Sequence, residues 1–97
     1  MEINVRIPQI TSIDTAIRLF YEKTELTNKD ITELFGKHAS STIARLKNKA
    51  RQQMTEDKVP VWDARRVNTA AAYKAWGLNI EDLEHRRKKL KQLEKIT

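Results

Sequence analysis

The stretch Thr27-Asn28-Lys29-Asp30-Ile31-Thr32-Glu33-Leu34-Phe35-Gly36-Lys37-His38-Ala39-Ser40-Ser41-Thr42-Ile43-Ala44-Arg45-Leu46-Lys47-Asn48-Lys49-Ala50-Arg51-Gln52-Gln53-Met54 decides how the chain is read. Thr27 stands three residues before Asp30, the spacing at which a hydroxyl and a carboxylate cap a helix start reciprocally. Ile31, Leu34 and Phe35 then give a short helix one apolar face. Gly36 ends it, because glycine enters the left-handed conformation without steric cost. Ser40 or Ser41 restarts a helix in which Ile43, Leu46, Ala50 and Met54 share one side, at i, i+3, i+7 and i+11. Each residue turns a helix by about 100°. Ser41, Arg45, Asn48 and Gln52 therefore point away from that apolar side, with Thr42 and Lys49 flanking them.

Upstream, Ile3, Val5 and Ile7 alternate with polar residues, the period of a short half-buried strand, which Pro8 ends or edges. Thr11 or Ser12 caps a helix with Asp14 in its first turn, a stripe of Ile13, Ala16, Ile17 and Phe20, and an end near Lys23. Downstream of Glu56-Asp57 the period changes. Val59-Pro60-Val61-Trp62 reads as a short extended segment, Asp63-Ala64-Arg65-Arg66 as a turn, and Val67 as the start of a return strand. Asn68 or Thr69 caps a fourth helix with Ala72, Tyr73 and Trp76 as its packing face. Gly77 stops that helix, with Leu78 placed for the accompanying apolar contact. Asn79-Ile80-Glu81-Asp82 starts a fifth helix that runs nearly to the end. Trp62 and Trp76 are both expected in the core rather than as stacking platforms.

With 97 residues, 39% of them hydrophobic and 33% charged, the chain has the composition of one globular domain. No apolar run approaches the roughly 20 residues that span a bilayer, so no membrane role is expected. The opening Met1-Glu2-Ile3-Asn4-Val5-Arg6 does not resemble a secretory signal. The absence of cysteine excludes disulfides and thiolate metal sites and fits a cytoplasmic setting. Charge is unevenly placed. Residues 1–35 carry four basic and six acidic side chains, while residues 36–97 carry fifteen basic and seven acidic. A basic half beside a mildly acidic one suggests a polyanion-facing surface.

The outward face of the third helix carries the functional expectation. Arginine and asparagine suit bidentate pairing with guanine and adenine edges, and serine and threonine suit phosphate or thymine contacts. No acidic residue occurs between Gly36 and Thr55, a window holding Lys37, His38, Arg45, Lys47, Lys49 and Arg51. A carboxylate there would repel phosphates. From Ile17-Arg18-Leu19-Phe20 through Leu26 to Gly36 and on to Ser41-Thr42-Ile43-Ala44-Arg45-Leu46, the chain resembles the helix-turn-helix of bacterial and phage regulators. That resemblance implies that Ser41, Thr42 and Arg45 approach the bases. Against the oldest repressor template the turn after Gly36 is about one residue long, and Thr32 stands where alanine is usual, departures that favour a winged variant. Lys58 to Val67 is similar to the small wing of winged-helix proteins, a plan shared by phage excisionases, with Arg65 and Arg66 suited to phosphates or a narrow minor groove.

The expected fold is mainly α: a tri-helical helix-turn-helix core with a short N-terminal strand, a small β-wing and two further C-terminal helices. Residues 1–78 form the DNA-binding domain. Residues 79–97 form a helix that packs on it, pairs with a second subunit as a homodimer, or lays Arg86-Arg87-Lys88-Lys89 against phosphates. Of its apolar positions Ile80, Leu83, Leu90 and Leu93, a clean heptad would place Arg87 in the seam. The expected function is sequence-specific binding of double-stranded DNA by residues of about 40–54 in the major groove, as a transcriptional regulator or excisionase-like factor. The binding residues are Lys37, Ser41, Thr42, Arg45, Asn48, Lys49, Gln52, Arg65 and Arg66. The alternative is a small interaction module of phage or mobile-element type that binds an acidic protein partner; such a face should carry exposed aromatics or leucines. No enzymatic role, cofactor or metal is expected. His38 and His85 lack neighbours at ligand spacing, there is no glycine-rich phosphate loop, and Ser40 and Ser41 have no base beside them.

Overall fold

A computed structural model describes residues 7–96, with side chains as far as Glu94. Among these residues the elements run α1 (Ile13–Glu22), β1 (Glu25–Leu26), α2 (Asn28–Phe35), α3 (Ser40–Glu56), β2 (Val67–Asn68), α4 (Thr69–Ala75) and α5 (Ile80–Ile96). The protein is mainly helical, with one two-stranded antiparallel sheet.

Local chemistry sets most of these boundaries. Ser12 caps α1 by accepting from Thr15 N–H. The reciprocal box at α2 forms as its spacing predicts: Thr27 Oγ1 accepts from Asp30 N–H at 3.3 Å, and Asp30 Oδ2 accepts from Thr27 N–H at 3.0 Å. Asn68 accepts from Ala71 N–H at 3.0 Å at the start of α4, and Asn79 accepts from Asp82 N–H at 3.1 Å at the start of α5. After α4, Gly77 has φ 73° and Leu78 N–H reaches back to Tyr73 O at 2.8 Å, closing the helix end. Gly36, at φ 86° and ψ −179°, occupies a backbone region that is essentially reserved for glycine. A Cβ there would also lie 3.3 Å from Thr11 Cγ2, because Thr11 donates from its N–H to Leu34 O at 2.8 Å and from Oγ1 to Glu33 O at 2.9 Å, clasping the end of α2.

The core sits where α1, α2, α3 and α4 converge. Ile43, Leu46, Ala50 and Met54 of α3 are all buried, as are Ile31, Leu34 and Phe35 of α2 and Ala72, Tyr73 and Trp76 of α4. Trp76 Nε1 donates to Leu46 O at 2.9 Å, tying α4 to the middle of α3. On α1 the expected stripe shifts. Ala16, Ile17 and Leu19 are buried while Ile13 and Phe20 are partly covered, because α1 is packed by α2 on one side and α5 on another. Tyr73 Oη donates to Ala16 O at 2.6 Å, and burial pushes its phenol above the ordinary value of 10.0. A raised folded-state value means that the fold favours the neutral phenol. That stabilisation is intact below about pH 10 and is lost as pH climbs beyond it. Tyr73→Phe is expected to cost about 1 kcal/mol at neutral pH and to flatten the decline in stability above pH 10, measured by urea unfolding across pH.

Of the expected strands, one is largely untested and one changes. Ile3 and Val5 of the N-terminal strand lie outside the described residues; Ile7 is in no regular element and rests partly buried against the core. Val59–Trp62 forms no strand, and β2 pairs instead with β1, in register Glu25↔Asn68 and Leu26↔Val67. Pro60 lacks the N–H that a ladder needs. The chain has also already turned at Lys58, whose φ of 57° and following bond from Val59 N–H to Met54 O at 2.8 Å close α3 in the left-handed manner usual for glycine.

Helix α5 docks its first half on α1. Leu83 is buried, Tyr21 Oη bonds Glu84, and Arg87 Nε pairs with Asp14 at 2.9 Å. Arg87, partly exposed, meets a carboxylate of α1 at the edge of that contact. Leu90 and Leu93, beyond that contact, are 50% and 61% exposed. The described residues measure 47 × 27 × 25 Å. No helix among them is long and apolar enough to cross a membrane.

Candidate nucleic-acid interface

Helix α3 is held at its buried side by α4 and β2 and at its start by the turn Gly36–Ala39. His38 Nε2 lies 3.0 Å from Phe35 O in that turn. Ala39 is the cap residue and neither Ser40 nor Ser41 caps the helix, against expectation, since Ala39 O already receives Thr42 N–H at 3.0 Å and Ile43 N–H at 3.1 Å. Both serines stand exposed at the helix start. Arg45, Asn48 and Gln52 are exposed on the same outward face, and Lys37 is exposed in the turn. Thr42 and Lys49 are half-buried on one flank.

The other flank opens into a groove. Asn28 and Thr32 of α2 face Ser40, Lys47, Asn48 and Arg51 of α3 around a space of about 450 Å³. A second space of about 370 Å³ adjoins it, lined by Asn28, Lys29, Lys47, Asp63, Arg65 and Arg66. Asn28 and Lys47 line both. The structure therefore brings Ser40, Asn48, Arg65 and Arg66 onto one strip with the start of α2. It leaves Lys49 and Thr42 on the opposite flank of α3.

Lys47 and Arg51 are the residues that outward-face reasoning missed. They lie one turn apart on α3, between its buried and outward sides. Lys47 Nζ donates to Arg65 O at 2.8 Å, and Arg51 donates to Ala64 O. Asp63 completes the anchorage. Its Oδ1 accepts from Arg65 N–H at 2.8 Å, and its carboxylate lies 3.7 Å from Arg66 Nε. Burial, and then the neighbouring Arg51, pull the Lys47 ammonium below its ordinary value. Two cations one turn apart repel, so an anion entering this groove is favoured by both.

Trp62 is the clearest departure. Expected in the core, it is 81% exposed, with Val61 exposed beside it, whereas Trp76 is 3% exposed. Val59 occupies the core-facing position of this loop, and the chain after Trp62 is anchored at the Ala64 and Arg65 carbonyls.

Among the described residues no group of three or more His, Asp or Glu side chains could hold a metal ion. Chemically the strip offers cations, amides and hydroxyls, with the one carboxylate of Asp63 held against Arg65 and Arg66. The chain matches no protein-family model, no curated protein and no solved structure.

Proposed function

We propose that this protein binds double-stranded DNA sequence-specifically, with α3 lying in the major groove, as a transcriptional regulator or excisionase-like factor of the cytoplasm. The observation that carries the reading is the exposed face of α3, where Ser41, Arg45, Asn48 and Gln52 stand together with no carboxylate from Gly36 to Thr55. A groove about 12 Å wide admits a helix, and these side chains are donors and acceptors fitted to base edges. In this reading α2 and α3 act as a helix-turn-helix, and the segment 58–66 acts as a wing without its own hairpin. Lys29, Lys47, Arg65 and Arg66 line one wall, placed for the phosphate backbone on one side of α3. Lys49 serves the backbone on the other. The reading carries no enzymatic step.

Binding to random-sequence duplex DNA at two salt concentrations, followed by selection of the bound sequences, tests it. Salt-sensitive binding that enriches a motif is expected, and a two-fold symmetric motif would show that two copies bind together. No binding at low salt would overturn it. Lys49→Ala is expected to weaken binding to all sequences alike and to flatten the salt slope by nearly one unit. An unchanged slope would remove Lys49 from the phosphate contacts.

A further inference from the structure

Lys47 is half-buried, yet it lines both groove spaces and is reached from either. Its Nζ is fixed by the bond it donates to Arg65 O at 2.8 Å. That acceptor is a neutral carbonyl, which holds an ammonium proton less firmly than a carboxylate does. Burial and then Arg51 lower the ammonium below its ordinary value, and Asp63 acts the other way with the smallest effect of the three. Desolvation and a neighbouring cation are the conditions that turn a lysine from a solvated charge into a nucleophile. The groove also has the means to hold a small anion beside this amine. Arg51 lines the first space, and Lys29, Arg65 and Arg66 line the second.

We infer that Lys47 is a site of acylation by acyl phosphates, whose phosphate the groove's cations hold while Nζ takes the acyl group. Neutral Nζ attacks the acyl carbon and a C–N bond forms. The C–O bond to phosphate breaks, and inorganic phosphate leaves with the bonding pair and takes up the proton that nitrogen loses. The product is a neutral amide with a single N–H. The surrounding charge selects the donor, because an uncharged acyl compound gains nothing from these cations. The acylation stands apart from the DNA-binding reading of α3, and only its consequence rests on that reading. With the charge of Lys47 gone, one cation facing the phosphate backbone is lost, so the salt slope for duplex should flatten by about one unit.

Acetyl phosphate added to the whole protein is the probe, and peptide mass spectrometry reads labelling lysine by lysine. Between about pH 7 and 9, where ordinary lysines are almost wholly protonated, Lys47 should label severalfold faster than the exposed Lys23 and Lys88. Lys88, within the basic run of α5, controls for clustered charge without burial. The advantage should shrink toward about pH 11, where ordinary lysines are neutral too. Inorganic phosphate should slow labelling of Lys47 and leave Lys23 unaffected. Arg51→Gln should slow Lys47, since it removes a cation that favours the neutral amine and holds phosphate. Asp63→Asn should speed it, since it removes a carboxylate that favours the ammonium and repels phosphate. A merely disturbed loop would move both variants the same way, and that result would overturn the inference. So would even labelling of Lys23, Lys47 and Lys88, or equal selectivity with the uncharged donor N-acetoxysuccinimide. Failure of the protein to bind duplex would overturn the reading of α3 and leave selective acylation of Lys47 standing.

Discussion

Trp76→Ala is expected to destabilise the protein by about 3–5 kcal/mol, a third or more of what a small domain typically possesses. Trp76 closes the space between α4 and the two helices it backs. Its ring meets Phe35 edge-on at 5.2 Å and lies 6.4 Å from Tyr73, and its N–H donates to Leu46 O. Truncation removes the apolar contacts, opens a cavity among Phe35, Leu46 and Tyr73, and leaves no donor for that interaction at Leu46. The effect should lower the thermal midpoint by about 15 °C or more for a chain of this size. Trp76→Phe keeps most of the volume while losing the N–H, so it should cost clearly less. If the alanine variant melts within a few degrees of the parent, α4 does not hold α3 as the packing indicates. The consequence for function is indirect but large: α3 has a single covered side, and α4 with β2 supplies most of the cover.

How much of this was legible in the sequence follows from the range of each interaction. Thr27 with Asp30, Asn68 with Ala71, Asn79 with Asp82 and Gly36 all act within a few residues, so spacing alone located the helix starts and the turn. The buried face of α3 was equally legible, since a 17-residue helix repeats its pattern often enough to fix a direction. The sheet was not. Each strand is two residues long, too short for any alternation, and Leu26 finds Val67 across two intervening helices. Trp62 departs from expectation because an aromatic beside valines and a proline reads as core, whereas it stands exposed on a loop that Arg51 and Lys47 anchor through carbonyls 13 and 18 residues away, respectively. The same contacts give Lys47 and Arg51, which the sequence offers only as members of a basic window, a specific place. Their position between the buried and outward sides of α3 acquires meaning only once the loop and the start of α2 form walls beside them. Arg87 shows the converse: in the sequence it interrupts a clean heptad seam, and in the fold it meets Asp14 of α1.

Arg45→Ala is expected to lower affinity for the selected site by about 1–3 kcal/mol and to relax base preference at one position, the size of effect that a bidentate contact to guanine produces. Arg45 lies on the outward side of α3 and is exposed, so its removal should alter stability by less than about 0.5 kcal/mol. Binding and folding are thereby separable at this position. Arg45→Lys sharpens the test. It keeps the charge but loses the planar fork, so a base-reading role predicts that lysine fails to restore preference while leaving the salt slope intact. A mere phosphate role predicts near-complete rescue by lysine and equal loss on every sequence in the alanine variant. The comparison with Lys49→Ala then divides α3 by function. Loss at Arg45 should depend on sequence and little on salt geometry, whereas loss at Lys49 should depend on salt and not on sequence. An outward helix face that reads bases must show both behaviours at different residues, because phosphates position a protein on the duplex and base edges alone distinguish one site from another.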